Sequence, residues 1–101
     1  MYSNVLFIMD DLEELIDLFA KTNNYLEMQK LFEELFTQRE KYDFALRWRL
    51  MKELHKGKTQ RAIASELGIS LCKITRGSKI LKDPETQINQ ALRSYTNGKE
   101  N

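Results

Sequence analysis

Thr59-Gln60-Arg61-Ala62-Ile63-Ala64-Ser65-Glu66-Leu67-Gly68-Ile69-Ser70-Leu71-Cys72-Lys73-Ile74-Thr75-Arg76-Gly77-Ser78-Lys79-Ile80-Leu81-Lys82 reads as two short helices joined by a tight turn, with cationic side chains on the second. Thr59 is an N-cap for a helix over Gln60 to Leu67, because its side-chain oxygen can accept from an orphan N–H of the first turn. Ile63 and Leu67 lie four apart and share a face. Ala64 is small where two crossing helices would approach closely. Gly68 follows the last apolar residue, the place where a left-handed residue ends a helix. Ser70 can cap the second helix, whose Leu71, Ile74 and Leu81 are expected to face back toward the first. A small residue, a glycine four later and a β-branched aliphatic six after that form the layout of a helix-turn-helix DNA reader. The bland alternative is a plain αα-hairpin inside a bundle.

Charge points the same way. The 101 residues carry a net charge of only +1, which hides an asymmetry. Residues 1–46 hold 4 basic and 10 acidic side chains, net −6, whereas residues 47–82 hold 10 basic and 2 acidic, net +8. The basic block coincides with the reader segment, as expected of a surface that meets phosphates. The acidic half would be turned away from DNA. The single cysteine, Cys72, excludes an internal disulfide and reads as a small helix residue. Asp10-Asp11 follows the first apolar residues directly and no basic n-region precedes them, so no secretory signal is expected. No apolar run reaches membrane-spanning length, and a cytoplasmic protein with no membrane partner is expected.

The rest of the chain is punctuated as helix. The first helix is expected from about Asn4 to Lys21. Val5, Leu6, Phe7, Ile8 and Met9 are consecutive and cover its whole circumference. A helix apolar all round must be buried all round. A chain this short has little mass to surround it, so a partner subunit with entwined N-terminal helices is expected. A second helix runs from Tyr25 to Leu35. Thr37-Gln38-Arg39-Glu40 has the form of a capping box and opens a third helix to about His55, which Gly57 ends. Asp83-Pro84 reads as an N-cap with proline at the first helical position, starting a last helix that stops at Asn97-Gly98. The expectation is an all-α, six-helix single domain over 1–101. Within it, 1–58 forms the dimerisation core, 59–82 the helix-turn-helix and 83–101 the C-terminal helix.

Arg47-Trp48-Arg49, Glu53-Leu54, Gly57, Thr59-Gln60-Arg61, Glu66-Leu67-Gly68, Ile74-Thr75-Arg76-Gly77-Ser78 and Leu81-Lys82 resemble the Trp repressor family, over roughly Phe36 to Lys82. Thr-Arg-Gly-Ser is the specific part, since a generic reader helix has no need of Arg-Gly at its end. The Trp repressor is itself a standard example of helix-turn-helix docking and of water-mediated base contacts. The resemblance implies an intertwined homodimer that binds double-stranded operator DNA only with L-tryptophan bound as corepressor. It implies that the ligand lies between the third helix and the reader helix. Arg47 and Arg76 would sandwich the indole, and Arg76 would also hold the carboxylate. A guanidinium plane suits an aromatic face and its fork suits a carboxylate. Gly77 would let the indole approach the backbone, Thr37 would assist at the carboxylate, and carbonyls around Leu35 and Phe36 would meet the ammonium.

Each assignment has a plainer competitor. Thr37 is equally an N-cap, Arg47 a surface or phosphate arginine, and Arg76-Gly77 the end of the reader helix. Two positions depart from the family. Ile80 stands where a serine usually contacts the ammonium, and losing that hydrogen bond costs about 1 kcal/mol. Trp48 stands where a smaller aliphatic residue is familiar, and it is read as packing the core. The hinge between Gly57 and Thr59 is also one residue short.

Toward DNA, Arg61 and Lys73 are the expected base readers, since both side chains pair well with guanine. Leu71 and Cys72 would touch thymine methyls, with Thr75 nearby. Gln60, Lys79 and Lys82 are expected phosphate contacts. A ligand-independent dimeric regulator and a helical protein–protein adaptor remain open alternatives. An enzyme is not expected: His55 has no metal cluster or catalytic partner around it in sequence. Glu13-Glu14 and Glu33-Glu34 are adjacent pairs that point to different parts of a helix surface.

Overall fold

The computed structural model describes the backbone of residues 2–99 and the side chains of residue 5 and residues 7–95. Among the described residues there are six α-helices and no strand: α1 (Tyr2–Lys21), α2 (Tyr25–Leu35), α3 (Gln38–His55), α4 (Gln60–Leu67), α5 (Leu71–Leu81) and α6 (Gln87–Lys99). They form two compact units, one through Lys41 and one from Tyr42 onward, so the boundary falls within α3.

In the first unit, α2 starts where Asn24 accepts a hydrogen bond from the Glu27 N–H at 3.1 Å. Its C-terminus and α1 meet through three rings. Phe19 stacks on Phe32 at 5.5 Å, and Phe36 stands edge-on to Phe32 at 5.1 Å and to Phe19 at 6.3 Å. Such offset and edge-on pairs add about 0.5–1.5 kcal/mol each beyond the area they bury. The capping box at the head of α3 is formed. The Thr37 hydroxyl accepts from the Glu40 N–H at 3.1 Å, and the Thr37 N–H donates to Glu40 Oε1 at 2.9 Å.

In the second unit, Leu50, Ile63, Ile69 and Ile74 make the core, with Leu46, Leu54, Ala64 and Leu67 packed against it. Ile63 and Ile74 are fully buried, one from each helix of the α4–α5 pair. The caps at this pair are made as their residue types dictate. Thr59 Oγ1 accepts from the Ala62 N–H at 3.2 Å and Ser70 Oγ from the Lys73 N–H at 3.4 Å. Gly68 has φ +64° and donates to the Ala64 carbonyl, ending α4 in the left-handed conformation. Gly57, at φ +88°, ends α3: its N–H reaches the Leu54 carbonyl while the Lys58 N–H reaches that of Glu53.

Three expectations are corrected. Leu71 does not face α4; it is 56% exposed, because the face that packs inward is set by Ile74 and Gly77. The last helix begins at Gln87, not at Pro84. Asp83 to Thr86 is instead a turn, closed by the Thr86 N–H on the Asp83 carbonyl at 3.3 Å, with Asp83 Oδ1 accepting from the Glu85 N–H. Asp-Pro suits a turn as well as a helix start. Here Thr86 takes the capping place, accepting from the Asn89 N–H. The helix also runs past Gly98 to Lys99. Asn89, buried, spans this turn by donating from Nδ2 to the carbonyls of Leu81 at 3.0 Å and Asp83 at 2.8 Å.

Candidate ligand cavity and outer face of the α4–α5 pair

One face of α3 carries Asp43, Leu46, Arg47, Leu50 and Met51, spaced i, i+3, i+4, i+7 and i+8. One face of α5 carries Lys73, Arg76, Gly77 and Ile80 at the same helical repeat. Together with Ile69 these residues line a cavity of about 290 Å³. Its volume lies near the lower end for small-molecule sites. Gly77 makes the close approach of α5 to α3 possible. A Cβ there would stand 3.2 Å from Leu54 Cδ1 and 3.4 Å from Met51 Sδ.

The walls are graded. Leu50 and Ile69 are buried, Leu46, Met51 and Ile80 half-buried, and Arg47, Lys73 and Arg76 exposed. An apolar floor under a cationic rim can take a flat apolar group that carries an anionic substituent. The two guanidiniums can stack on a ring or fork onto a carboxylate.

Of the residues expected at a ligand, Arg47, Arg76, Gly77 and Ile80 therefore line one cavity. Phe36 and Thr37 belong to the first unit, Phe36 in the ring cluster and Thr37 in the capping box. Arg76 and Gly77 do not end the reader helix, since α5 continues to Leu81. Trp48 does not line the cavity either, and stands edge-on to Tyr95 of α6 at 5.5 Å. Asp43, Met51 and Ile69 were not singled out in the sequence, although the α3 periodicity through Arg47 carries the first two. Lys73, assigned to DNA, reaches the cavity as well.

Gln60, Arg61, Leu71, Cys72, Lys73, Thr75, Lys79 and Lys82 are all exposed on the α4–α5 pair and the residue after it. On α5, Ile74 and Gly77 are buried while Cys72, Thr75 and Lys79 are exposed, so the helix divides into an inner and an outer face, with Lys73 at the cavity edge between them.

The hinge into α4 is held by charge. Lys58 Nζ lies 3.1 Å from Glu53 Oε2 on α3 and 2.6 Å from Glu66 Oε2 on α4, and Arg49 approaches the other Glu53 oxygen at 3.3 Å. The Lys58 hydrogen bond holds the Glu53 carboxyl below the usual carboxylate range, assisted by Arg49 and opposed by burial. Glu66 and then Glu53 raise Lys58. No side chain of the sequence pattern had marked this clasp. Among the described residues there is no group of three His, Cys, Asp or Glu that could hold a metal ion. No helix of the described residues is long and apolar enough to cross a membrane.

Chains of similar sequence are transcription regulators. The chain is 39% identical over 72 residues to a Trp operon repressor homolog of Xylella fastidiosa, covering 70% of this chain and 78% of the relative. It is 38% identical over 66 residues to one of Chlamydia trachomatis, covering 64% and 70%. It is 30% identical over 93 residues to one of Vibrio vulnificus, covering 87% and 91%. No solved structure matches the chain. Residues 10–96 match the family described as Trp repressor protein, and the chain belongs to that family. Its members are regulators rather than enzymes, so this chain is a Trp-repressor-like regulator.

Proposed function

We propose that this chain is a homodimeric, cytoplasmic repressor that binds operator DNA through α4 and α5 and is switched on by L-tryptophan, controlling genes of tryptophan synthesis or uptake. The observation that carries this reading is the juxtaposition of Arg47 and Arg76 on the walls of one cavity over an apolar floor. Arg76 shares its helix with the exposed Leu71, Cys72, Lys73 and Thr75, so α5 would be both sensor and output. The names of the relatives fit the same ligand.

The dimer is supported by α1. Phe7 and Ile8 are 67% and 62% exposed in the single chain, and Val5, Met9, Leu12, Ile16 and Leu18 are exposed with them. A contiguous apolar stripe of this kind marks an interaction surface. Residues 1–58 would serve dimerisation, and Phe36 and Thr37 would complete the ligand site by way of the family resemblance.

In the mechanism, ligand in the cavity sets α5 in the orientation that lets the two readers of a dimer meet successive major grooves, about 34–36 Å apart in proteins of this docking type, the Trp repressor among them. Tryptophan can act only by binding the competent state better. By linkage, operator DNA tightens tryptophan binding by the same factor. Gel-shift titration of operator DNA with and without L-tryptophan tests this. A rise in affinity with ligand is expected; equal affinities reject the switch, and binding that neither saturates nor depends on salt rejects the DNA reader.

A further inference from the structure

The cavity walls hold three cations, Arg47, Lys73 and Arg76, against one acidic residue, Asp43. The remaining walls are Leu46, Leu50, Met51, Ile69, Gly77 and Ile80. Lysine and arginine side chains donate hydrogen bonds and accept none, and aliphatic side chains do neither. The methionine sulfur is a weak acceptor. Among these walls the Asp43 carboxylate is thus the one strong side-chain acceptor for an N–H. Asp43 lies one turn before Arg47 on the same face of α3 and is half-buried, so it edges the cavity beside the group that would meet the ring.

We propose that Asp43 recognises the ammonium of the bound ligand and makes the site selective for an α-amino acid over the same ring system bearing a carboxylate alone. The proposal rests on the ligand reading above and adds the residue that sets its specificity. The position of the charges rather than their sum supports it, because an ammonium set at Asp43 meets the one anion of walls that are otherwise cationic. A ligand with only a carboxylate is attracted by the three cations but meets Asp43 as a like charge. A ligand with only an ammonium meets the cations in the same way. A zwitterion satisfies both signs, so one residue supplies an attraction and a rejection together. Ile80 contributes neither donor nor acceptor, so among the side chains of these walls Asp43 is the one suited to the ammonium, beside any main-chain carbonyl that meets it. A carboxylate has about four acceptor sites on its two oxygens, so it can hold a ligand ammonium while another donor uses the rest.

The test is calorimetry on the purified full-length protein with two probes, L-tryptophan and indole-3-propionate, the same molecule without its amine. The wild-type chain is expected to prefer L-tryptophan. In Asp43→Asn, L-tryptophan affinity is expected to fall roughly tenfold, as for loss of a charge-assisted hydrogen bond. Affinity for indole-3-propionate is expected to hold or rise. Asp43→Glu, which keeps the charge, should retain most of the preference. A wild-type preference for indole-3-propionate overturns the proposal without any variant. So does an Asp43→Asn protein that binds L-tryptophan undiminished, or one that loses both probes equally. A wild-type chain that binds neither probe refutes the underlying ligand reading instead, and the two failures are told apart on the wild-type trace.

Discussion

Gly77 of α5 lies against Leu54 of α3 so closely that a Cβ on it would stand 3.2 Å from Leu54 Cδ1. A glycine inside a helix costs about 1 kcal/mol relative to alanine. Its presence in the middle of α5 is explained by that contact and by the cavity beside it. Gly77→Ala gains the propensity and loses the fit, with a half-buried leucine terminus that must shift by a few tenths of an ångström. The two terms are comparable, so stability is expected to change by less than about 1 kcal/mol. L-tryptophan affinity should fall, because the new methyl group lines the cavity. Urea denaturation and calorimetry on the same preparation check both halves.

Ile74 and Leu71 stand three apart on α5 with opposite fates. Ile74 is fully buried, and Ile74→Ala is expected to cost about 2–5 kcal/mol, the usual range for emptying a packed site. Leu71 is exposed, and Leu71→Ala should stay within about 0.5 kcal/mol. Comparable losses in chemical denaturation would mean that the face of α5 has been assigned wrongly.

The Lys58 clasp makes a pH prediction. Glu53 is held below its ordinary value of 4.5, chiefly by the hydrogen bond from Lys58. A depressed folded value means that the stabilisation is complete above the unfolded value and is lost as pH falls through the folded one. Lys58 is raised above 10.5, so its share is complete below that value and is lost as pH rises through the folded one. Between these limits the clasp is intact. Lys58→Met should lower the melting temperature near neutral pH and flatten the fall in stability below pH 4.5. An unchanged acid profile in the variant would remove the clasp from the account.

Arg61 and Lys82 separate specificity from general affinity. Arg61→Ala is expected to lose about 1–3 kcal/mol on operator DNA and less on random duplex, as a base reader should. Lys82→Ala should weaken both alike and reduce the salt dependence of binding by about one unit of slope. Fluorescence anisotropy across a salt series measures both, and equal losses on both sequences for both variants would reverse the assignment.

Asn89 supports the turn after α5 from one buried amide group, with both of its donors on main-chain carbonyls. Replacing it with leucine leaves the Leu81 and Asp83 carbonyls without these bonds and is expected to cost about 1–3 kcal/mol. Thermal unfolding is the readout, and a neutral result would mean that solvent replaces the amide.

The sequence by itself determined the helical framework, because caps are local chemistry. Thr37, Thr59, Gly68 and Ser70 each act within four residues of their own position, so the starts of α3, α4 and α5 and the end of α4 were legible from residue type alone. Local chemistry failed where one dipeptide suits two local structures, as Asp83-Pro84 does, and the contact of Asn89 with the turn decided between them. The Arg47 and Arg76 pair was legible only through family resemblance, since the two lie 29 residues apart in sequence. Tertiary structure alone decided that Asp43, Met51 and Ile69 join those arginines around one cavity. It also decided that Lys58 bridges two helices and that Leu71 points outward while Ile74 points in. The reason is that a helix repeat fixes which residues share a face, whereas what that face meets depends on how closely another helix can approach. Here a glycine at position 77, with Leu54 3.2 Å from where its Cβ would be, sets that approach.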